Sequence, residues 1–294
     1  MRIAFTKCHG SGNDFSLVDA RAIQLSDAEW AAAARMLADR DGPVGGDGIL
    51  LLIQGDRENQ FGMRMFNSDG SEAETCLNGL RCVARAGFEA LGIDSARVKL
   101  RTSSAEVAKA EALAEGVYTV RTRVGPAGRD IGLAGPLSEL PSGREFTAVS
   151  MPNPHLVSFV DQVDEEELVA LGRWCEAAPA LLPARANVSF VEMRGPDLFV
   201  RTFERGVGLT NACGSAMAAS VFAAGLTGRL PWERETRVFN KGGLVRGSAG
   251  ADGMVTILGN ATFEYDGAIE TDGSGLEVTK RRPHEITVWE AAIS

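Results

Sequence analysis

The chain has 294 residues, 45% of them hydrophobic and 23% charged, enough to bury a core in each of two ordinary domains; disorder and collagen-like repeats are excluded. Its formal net charge of −9 repels phosphate backbones and anionic lipid, so no nucleic acid and no membrane partner is expected. No apolar run reaches the roughly 20 residues of a membrane helix, and MRIAFTKCHG lacks the apolar segment of a secretory signal, which predicts a cytoplasmic protein acting on a small molecule.

Taken in chain order, RIAFTKC, HGSGND and FSLVDA read as strand, glycine loop and strand. Ser26 followed by Glu29 has capping-box spacing, and the alanine-rich run after it predicts a helix up to Gly42. The loop GPVGGDG returns the chain to the strand ILLLIQ. FGMRMFN alternates as a strand, DGSEAE reads as a turn, and CLNGLRCVARAGFEALG predicts a helix ended by Gly92. Strands near VKLRTS and VYTVRTRV complete a first unit over residues 1–124.

Residues 125–143 are rich in Gly and Pro and read as a connection. A second unit over 125–268 runs through EFTAVS, a loop MPNPH, the strand LVSFVD, an acidic-start helix DEEELVALGRW, strands NVSFVEM and DLFVRTFE, and a helix beginning near Cys213. Strands RVFN, GLVRGS and MVTIL follow. Residues 269–294 form a charged, glycine-bearing tail to which the sequence assigns no role.

The halves repeat one another. Arg64-x-Phe66, a glycine-bearing turn and Cys76 are matched by Arg201-x-Phe203, ERGVG and Cys213, each cysteine lying ten residues after its Phe and opening a helix. HGSGNDFSLVD is likewise echoed by MPNPHLVSFVD. This predicts an α/β (α+β) fold of two similar mixed α/β domains related by a pseudo-twofold axis, with the active site in the cleft between them.

Five cysteines without a C-x-x-C pair, at positions 8, 76, 82, 175 and 213, fit a reducing compartment, and the three histidines lack metal-ligand spacing, so no metal is expected. A thiol at the first turn of a helix meets unpaired backbone N–H groups and the positive helix end, which favour its thiolate. A thiol of pKa near 8.5 is only about 3% ionised at pH 7. Two such thiols on opposite sides of a substrate carbon form an acid and a base suited to stereoinversion: one removes a Cα proton and the other returns one to the opposite face. The backbone N–H groups at the two helix starts would then hold the substrate carboxylate as it becomes enediolate-like.

At these residues the sequence resembles the diaminopimelate epimerase family, cofactor-independent two-cysteine enzymes that interconvert LL- and meso-diaminopimelate in lysine and peptidoglycan synthesis. The resemblance runs from Lys7 to about Phe263. It is carried by Lys7-x-His9-Gly10-x-Gly12-Asn13-Asp14-Phe15, by Phe66-Asn67-x-Asp69-Gly70-Ser71 leading to Cys76-x-Asn78-Gly79-x-Arg81-Cys82, by Asn153-Pro154-His155 and Asn187-Val188, and by Glu204-Arg205-Gly206-x-Gly208-x-Thr210-x-Ala212-Cys213-Gly214-Ser215. It implies that Cys76 and Cys213 are the catalytic pair and that no cofactor is used. Asn13 would hold the reacting end of an amino acid substrate, with backbone N–H groups around Leu77, Asn78, Gly214 and Ser215 cradling its carboxylate. Asn67, Asn153, Asn187, Glu204 and Arg205 would read the distal end, where an Arg fork suits a carboxylate and a Glu an ammonium. It also implies a homodimer.

Leu77 stands where the family usually has Gly, which leaves room for a racemase or epimerase of a different amino acid. The residues also admit a Cys–His hydrolase using Cys213 with His155 or His9, and a binding protein with inert thiols. Cys8, Cys82 and Cys175 read as structural, His9 and His155 as hydrogen bonders beside polar loops, and His284 as a surface residue.

Overall fold

The computed structural model describes residues 1–73, 76–151 and 153–294. The chain divides into two compact units, Met1–Thr122 with Leu258–Ser294, and Arg123–Ile257.

The first unit starts with an antiparallel hairpin of β1 (Arg2–Gly10) and β2 (Asn13–Asp19). Helix α1 (Asp27–Ala38) then carries the chain over to β3 (Gly48–Gln54), parallel to β2. The capping box read from the sequence is present: Ser26 Oγ accepts the Glu29 N–H, and the Glu29 carboxylate accepts the Ser26 N–H at 2.7 Å. From α1, Trp30, Ala33, Ala34 and Leu37 pack on Ile3, Val18, Ile49, Leu51 and Phe66. β4 (Phe61–Asn67) returns antiparallel to β3, and helix α2 (Leu77–Leu91) crosses to β5 (Ser95–Lys99), parallel to β4 and paired with β6 (Ser104–Lys109). Gly92 ends α2 in a left-handed conformation, φ 66°, its N–H closing onto Phe88 O; a side chain there would be strained.

The chain leaves the first unit along β7 (Thr119–Val124). In the second unit β8 (Thr147–Met151) and β9 (Asn153–Val160) form an antiparallel pair, α3 (Glu165–Glu176) crosses to β10 (Asn187–Arg194) parallel to β9, and β11 (Asp197–Glu204) returns antiparallel. A short β12 (Gly208–Thr210) folds back on β11. Helix α4 (Gly214–Leu226) then crosses to β13 (Thr236–Asn240), parallel to β11 and paired with β14 (Gly243–Ala249). The order is that of the first unit: hairpin, crossover helix, hairpin, crossover helix, hairpin. Even an ion pair recurs. Arg64 on β4 reaches Asp27, the first residue of α1, at 2.7 Å, and Arg201 on β11 reaches Glu165, the first residue of α3, at 2.7 Å.

The chain returns to the first unit along β15 (Val255–Asn260) and continues into β16 (Thr262–Glu270), β17 (Glu277–Arg281) and helix α5 (Pro283–Ile293). Here the observed organisation departs from the sequence reading. Residues 258–268, read as the end of the second unit, pack with the first because β16 pairs with β1 from Arg2↔Glu270 to His9↔Thr262. The tail is ordered as β17 and α5. The Gly- and Pro-rich stretch 125–143 is part of the second unit, where Ile131 and Leu140 join the cluster of Leu156, Leu168, Phe190 and Phe203. Asn153, Pro154 and His155, read as loop, belong to β9, and β6 has no counterpart in the sequence reading. Glu74, in the turn read over DGSEAE, and Pro152, in the loop read over MPNPH, lie outside the described residues with Thr75.

Candidate active site

In each unit the start of the first parallel strand, the start of its partner, the end of the following strand and the N-terminus of the second crossover helix lie at one end of the sheet. That end of the first unit carries Asn13 (first residue of β2), Gly48 (first of β3), Asn67 (last of β4) and Cys76; the same end of the second carries Asn153, Asn187, Glu204 and Cys213. Both cysteines are helix N-caps in extended conformation, with φ, ψ of −147°, 104° at Cys76 and −133°, 108° at Cys213. Each topology therefore delivers its thiol to the equivalent position within its own unit, at a helix start whose N–H groups have no intrahelical acceptor.

In the first-unit group, the half-buried Cys76 Sγ accepts the Gly79 N–H at 3.3 Å and faces Asn13 Oδ1 at 3.7 Å. Asn78 is fully buried; its Nδ2 lies 3.5 Å from Asn13 Oδ1 and its Oδ1 accepts from Arg81 at 2.9 Å. The other end of the Asn13 amide donates to the carboxylate of Asp47, which also accepts the Asp14 N–H at 3.1 Å. Asp47, in the GPVGGDG loop, thus fixes which atom of Asn13 faces the thiol. The sequence reading missed it; a lone carboxylate in a run of glycines was the available signal. Behind it, Lys7 and Arg40 each bond the Asp14 carboxylate at 2.6 Å. Burial pushes that carboxyl up, but Arg40 and Lys7 outweigh it and hold it below its ordinary value.

Leu77 is buried, 2% exposed, so its side chain is taken up by packing. The bonds of Asn67 run to its own turn: its Nδ2 to Ser71 Oγ at 3.0 Å and its N–H to Ser71 O at 2.8 Å. Arg81, among the largest fully buried side chains, donates to Asn260 O (3.0 Å), Ser11 Oγ (3.0 Å), Asn78 Oδ1 and Leu77 O (3.3 Å). Burial pushes this guanidinium down to about 10. It ties the start of α2 to the glycine loop that precedes Asn13.

In the second-unit group, Cys213 Sγ lies 3.5 Å from Ser215 Oγ, which accepts from Asn153 Nδ2 at 3.4 Å. Asn153 Oδ1 takes the His155 Nε2–H at 3.1 Å. The Oδ1 of Asn187 accepts the Arg205 N–H at 2.9 Å, while its buried Nδ2 has no acceptor among the described residues. Arg205 Nη1 reaches Ala184 O at 3.0 Å, and Glu204 ends β11 beside it. Gly214 and Ser215 open α4, and Ser215 is buried.

Both histidines near these groups are neutral. Burial pushes His155 down to about 3, helped by the charge of Arg205, and His9 down to about 4. His9 Nδ1 accepts the Gly12 N–H at 3.3 Å, which needs the ring unprotonated there. Cys8, Cys82 and Cys175 are buried, and burial pushes the Cys8 thiol up and that of Cys175 to about 12, as inert core thiols require. His284 is exposed. Among the described residues no group of His, Cys, Asp or Glu is arranged to hold a metal ion, and no helix is long and apolar enough to cross a membrane.

Comparison with known proteins bears on this geometry. The family profile described as "Diaminopimelate epimerase" matches residues 5–127 and 147–264, one stretch in each half of the chain. A protein of that name from Clostridium acetobutylicum is 35% identical over 94% of this chain and 88% of its own, and one from Listeria innocua is 38% identical over 96% and 93%. Among solved structures, a PhzF-family phenazine biosynthesis protein from Bacillus anthracis superposes with a TM-score of 0.68 at 14% identity, covering 92% of this chain and 99% of its own. A hydroxyproline epimerase from Agrobacterium vitis, with bound trans-4-hydroxy-L-proline, gives 0.64 at 14% identity over 99% and 98%. At such identities these structures share the fold.

Proposed function

Since the chain belongs to the diaminopimelate epimerase family, whose members are isomerases, we propose that it interconverts LL- and meso-2,6-diaminopimelate with Cys76 and Cys213 as its two bases and no cofactor. The observation that carries the reading is that each thiol caps a helix at the same position of a repeated topology. One thiolate removes the Cα proton, and the other thiol donates a proton to the opposite face as the carbanion collapses. In the reverse direction the roles exchange. The N–H groups of Leu77 and Asn78 and of Gly214 and Ser215, at the two helix starts, stabilise the enediolate-like carboxylate, each well-aimed donor contributing roughly 2.7–4 kcal/mol in the transition state. Asn13 holds the reacting end. Asn67, Asn153, Asn187, Glu204 and Arg205 read the distal amino acid, and the Nδ2 of Asn187, buried with no acceptor among the described residues, supports that role, since a buried donor calls for an acceptor.

Two competing activities lose ground. His155 spends its Nε2–H on Asn153, and burial lowers the basicity of His155 to about 3 and of His9 to about 4, too weak to take and hold a thiol proton as the base of a Cys–His hydrolase. The burial of Leu77 speaks against its side chain altering which amino acid is accepted. The same reading makes the enzyme a cytoplasmic homodimer, the location supported by buried reduced thiols at Cys8, Cys82 and Cys175 and the dimer checked by sedimentation.

The direct test incubates LL- and meso-diaminopimelate with the enzyme in deuterated water. Cα deuterium enters during inversion in the parent protein. Cys76→Ala and Cys213→Ala stay folded and lose inversion by at least about a thousandfold, the scale expected when general acid–base catalysis at a carbon acid is removed. Full turnover by either variant would refute the two-base assignment.

A further inference from the structure

The tail beyond residue 268 has no function in the sequence reading, yet it ends in a helix with two side chains seated on elements that lead to the first-unit site, one on Arg85 of α2 and one on His9. Helix α5 has 11 residues, begins at Pro283 and has no side-chain N-cap. So short a helix is not stable alone and depends on what it grips. Glu285 and Trp289, four residues apart, lie on one of its faces.

Glu285 grips α2, the helix capped by Cys76. Its carboxylate takes Arg85 Nη1 at 2.5 Å and Nη2 at 2.9 Å, and accepts the Phe263 N–H at 3.0 Å. Arg85 also donates to Ala261 O at 2.8 Å and packs on the rings of Phe263 and Tyr118, with centroids 4.0 and 4.4 Å away. Its remaining partner is Glu89, whose side chain is 51% exposed. Trp289 grips the other piece: it is buried, 4% exposed, with its ring centroid 5.8 Å from that of His9. His9 in turn accepts the Gly12 N–H in the turn that delivers Asn13.

We infer that α5 is a positioning element of the site, with Glu285 holding the register of α2 behind Cys76 and Trp289 holding the His9–Asn13 turn. The inference rests on the proposed roles of Cys76 and Asn13. Neither Glu285 nor Trp289 touches substrate; they act through Arg85 and His9. A reacting group displaced by about 1 Å loses on the order of a hundredfold in rate, so loosening either grip is felt in turnover.

The test uses the full chain carrying Trp289→Ala, Trp289→Phe, Glu285→Gln and Glu285→Asp. Three quantities are measured: kcat and KM for epimerisation, the iodoacetamide alkylation rates of Cys76 and Cys213 resolved by mass spectrometry, and hydrogen exchange over residues 9–15, 76–82 and 214–226. W289A and E285Q are expected to lower kcat tenfold or more with a smaller change in KM. They change the Cys76 alkylation rate at least threefold and leave that of Cys213 unchanged, and they speed exchange at 9–15 and 76–82 but not at 214–226. W289F and E285D recover most of the activity. Parent-like kcat in W289A and E285Q, or loss of protection spread equally over 76–82 and 214–226, overturns the inference. Alkylation and exchange do not depend on which amino acid is turned over, so a wrong substrate would abolish parent turnover while leaving those two readouts to decide.

Discussion

Acidification from pH 7 to pH 5 is expected to destabilise the folded chain by about 4 kcal/mol, and the reason is two imidazoles that the fold keeps neutral. His9 is pushed down to about 4 and His155 to about 3, both mainly by burial, against about 6.5 in an unfolded chain. Because each folded value is depressed, the unfolded state binds protons first as pH falls. Stability is therefore full above about pH 6.5 and is lost on the way down toward the folded values. At pH 5 an unfolded histidine is about 97% protonated while the native ones are almost unprotonated, a linkage of about 2 kcal/mol per residue. Carboxylates held low in the native state, such as Asp14 and Asp266, add most of their loss below pH 5. Urea unfolding followed by circular dichroism at pH 7 and pH 5 reads the difference directly. His155→Gln should start from a lower stability at pH 7 yet lose about half as much between the two pH values. A parent loss below about 1 kcal/mol, or the same drop in His155→Gln, would show that these rings are not held neutral by burial.

Three further outcomes are expected. Arg81→Met withdraws the side-chain donor from Asn260 O, Ser11 Oγ, Asn78 Oδ1 and Leu77 O and should cost about 1–3 kcal/mol by chemical denaturation, the range for a buried polar group that loses its partner; an unchanged denaturation midpoint would mean that the network contributes little. Gly172→Ala drives a Cβ into the Cγ and Cδ1 of Phe203 and should destabilise by about 1–3 kcal/mol, and because Phe203→Ala removes those atoms the double variant should lose less than the sum of the two single losses; strictly additive losses would contradict the clash. Asp47→Ala removes the acceptor that orients Asn13 and should reduce kcat/KM about tenfold or more with little change in melting temperature; unchanged kinetics would show that Asn13 is oriented by something else.

Much of this protein was legible from residues close together in the chain, because the forces involved are local. The Ser26–Glu29 capping box, the glycine stop at Gly92 and the alternation of FGMRMFN act within a few residues, and helices and strands formed where they point. The repeat was legible too, since Cys76 and Cys213 each stand ten residues after an Arg-x-Phe strand, and both prove to be N-caps. The Asn153–His155 segment shows the limit of local reading: polar and proline-bearing residues that favour a loop become strand when neighbouring strands supply their hydrogen-bond partners.

What the sequence by itself determined is the set of chemical groups and their local settings: two thiols at helix starts, amides in polar loops and at strand ends, and an acid–arginine pair at a strand end. Tertiary structure alone decided which distant groups hold them in place. Asp47 orients Asn13 from 34 residues away, Arg81 reaches Asn260 across 179, and Glu285 meets Arg85 across 200. No periodicity or propensity encodes such pairings, because a side chain's partner across the fold depends on which strands lie side by side. The fate of the tail is the clearest case: its composition is charged and glycine-bearing, and the pairing of β16 with β1 carries the chain to where Glu285 meets Arg85 and Trp289 meets His9.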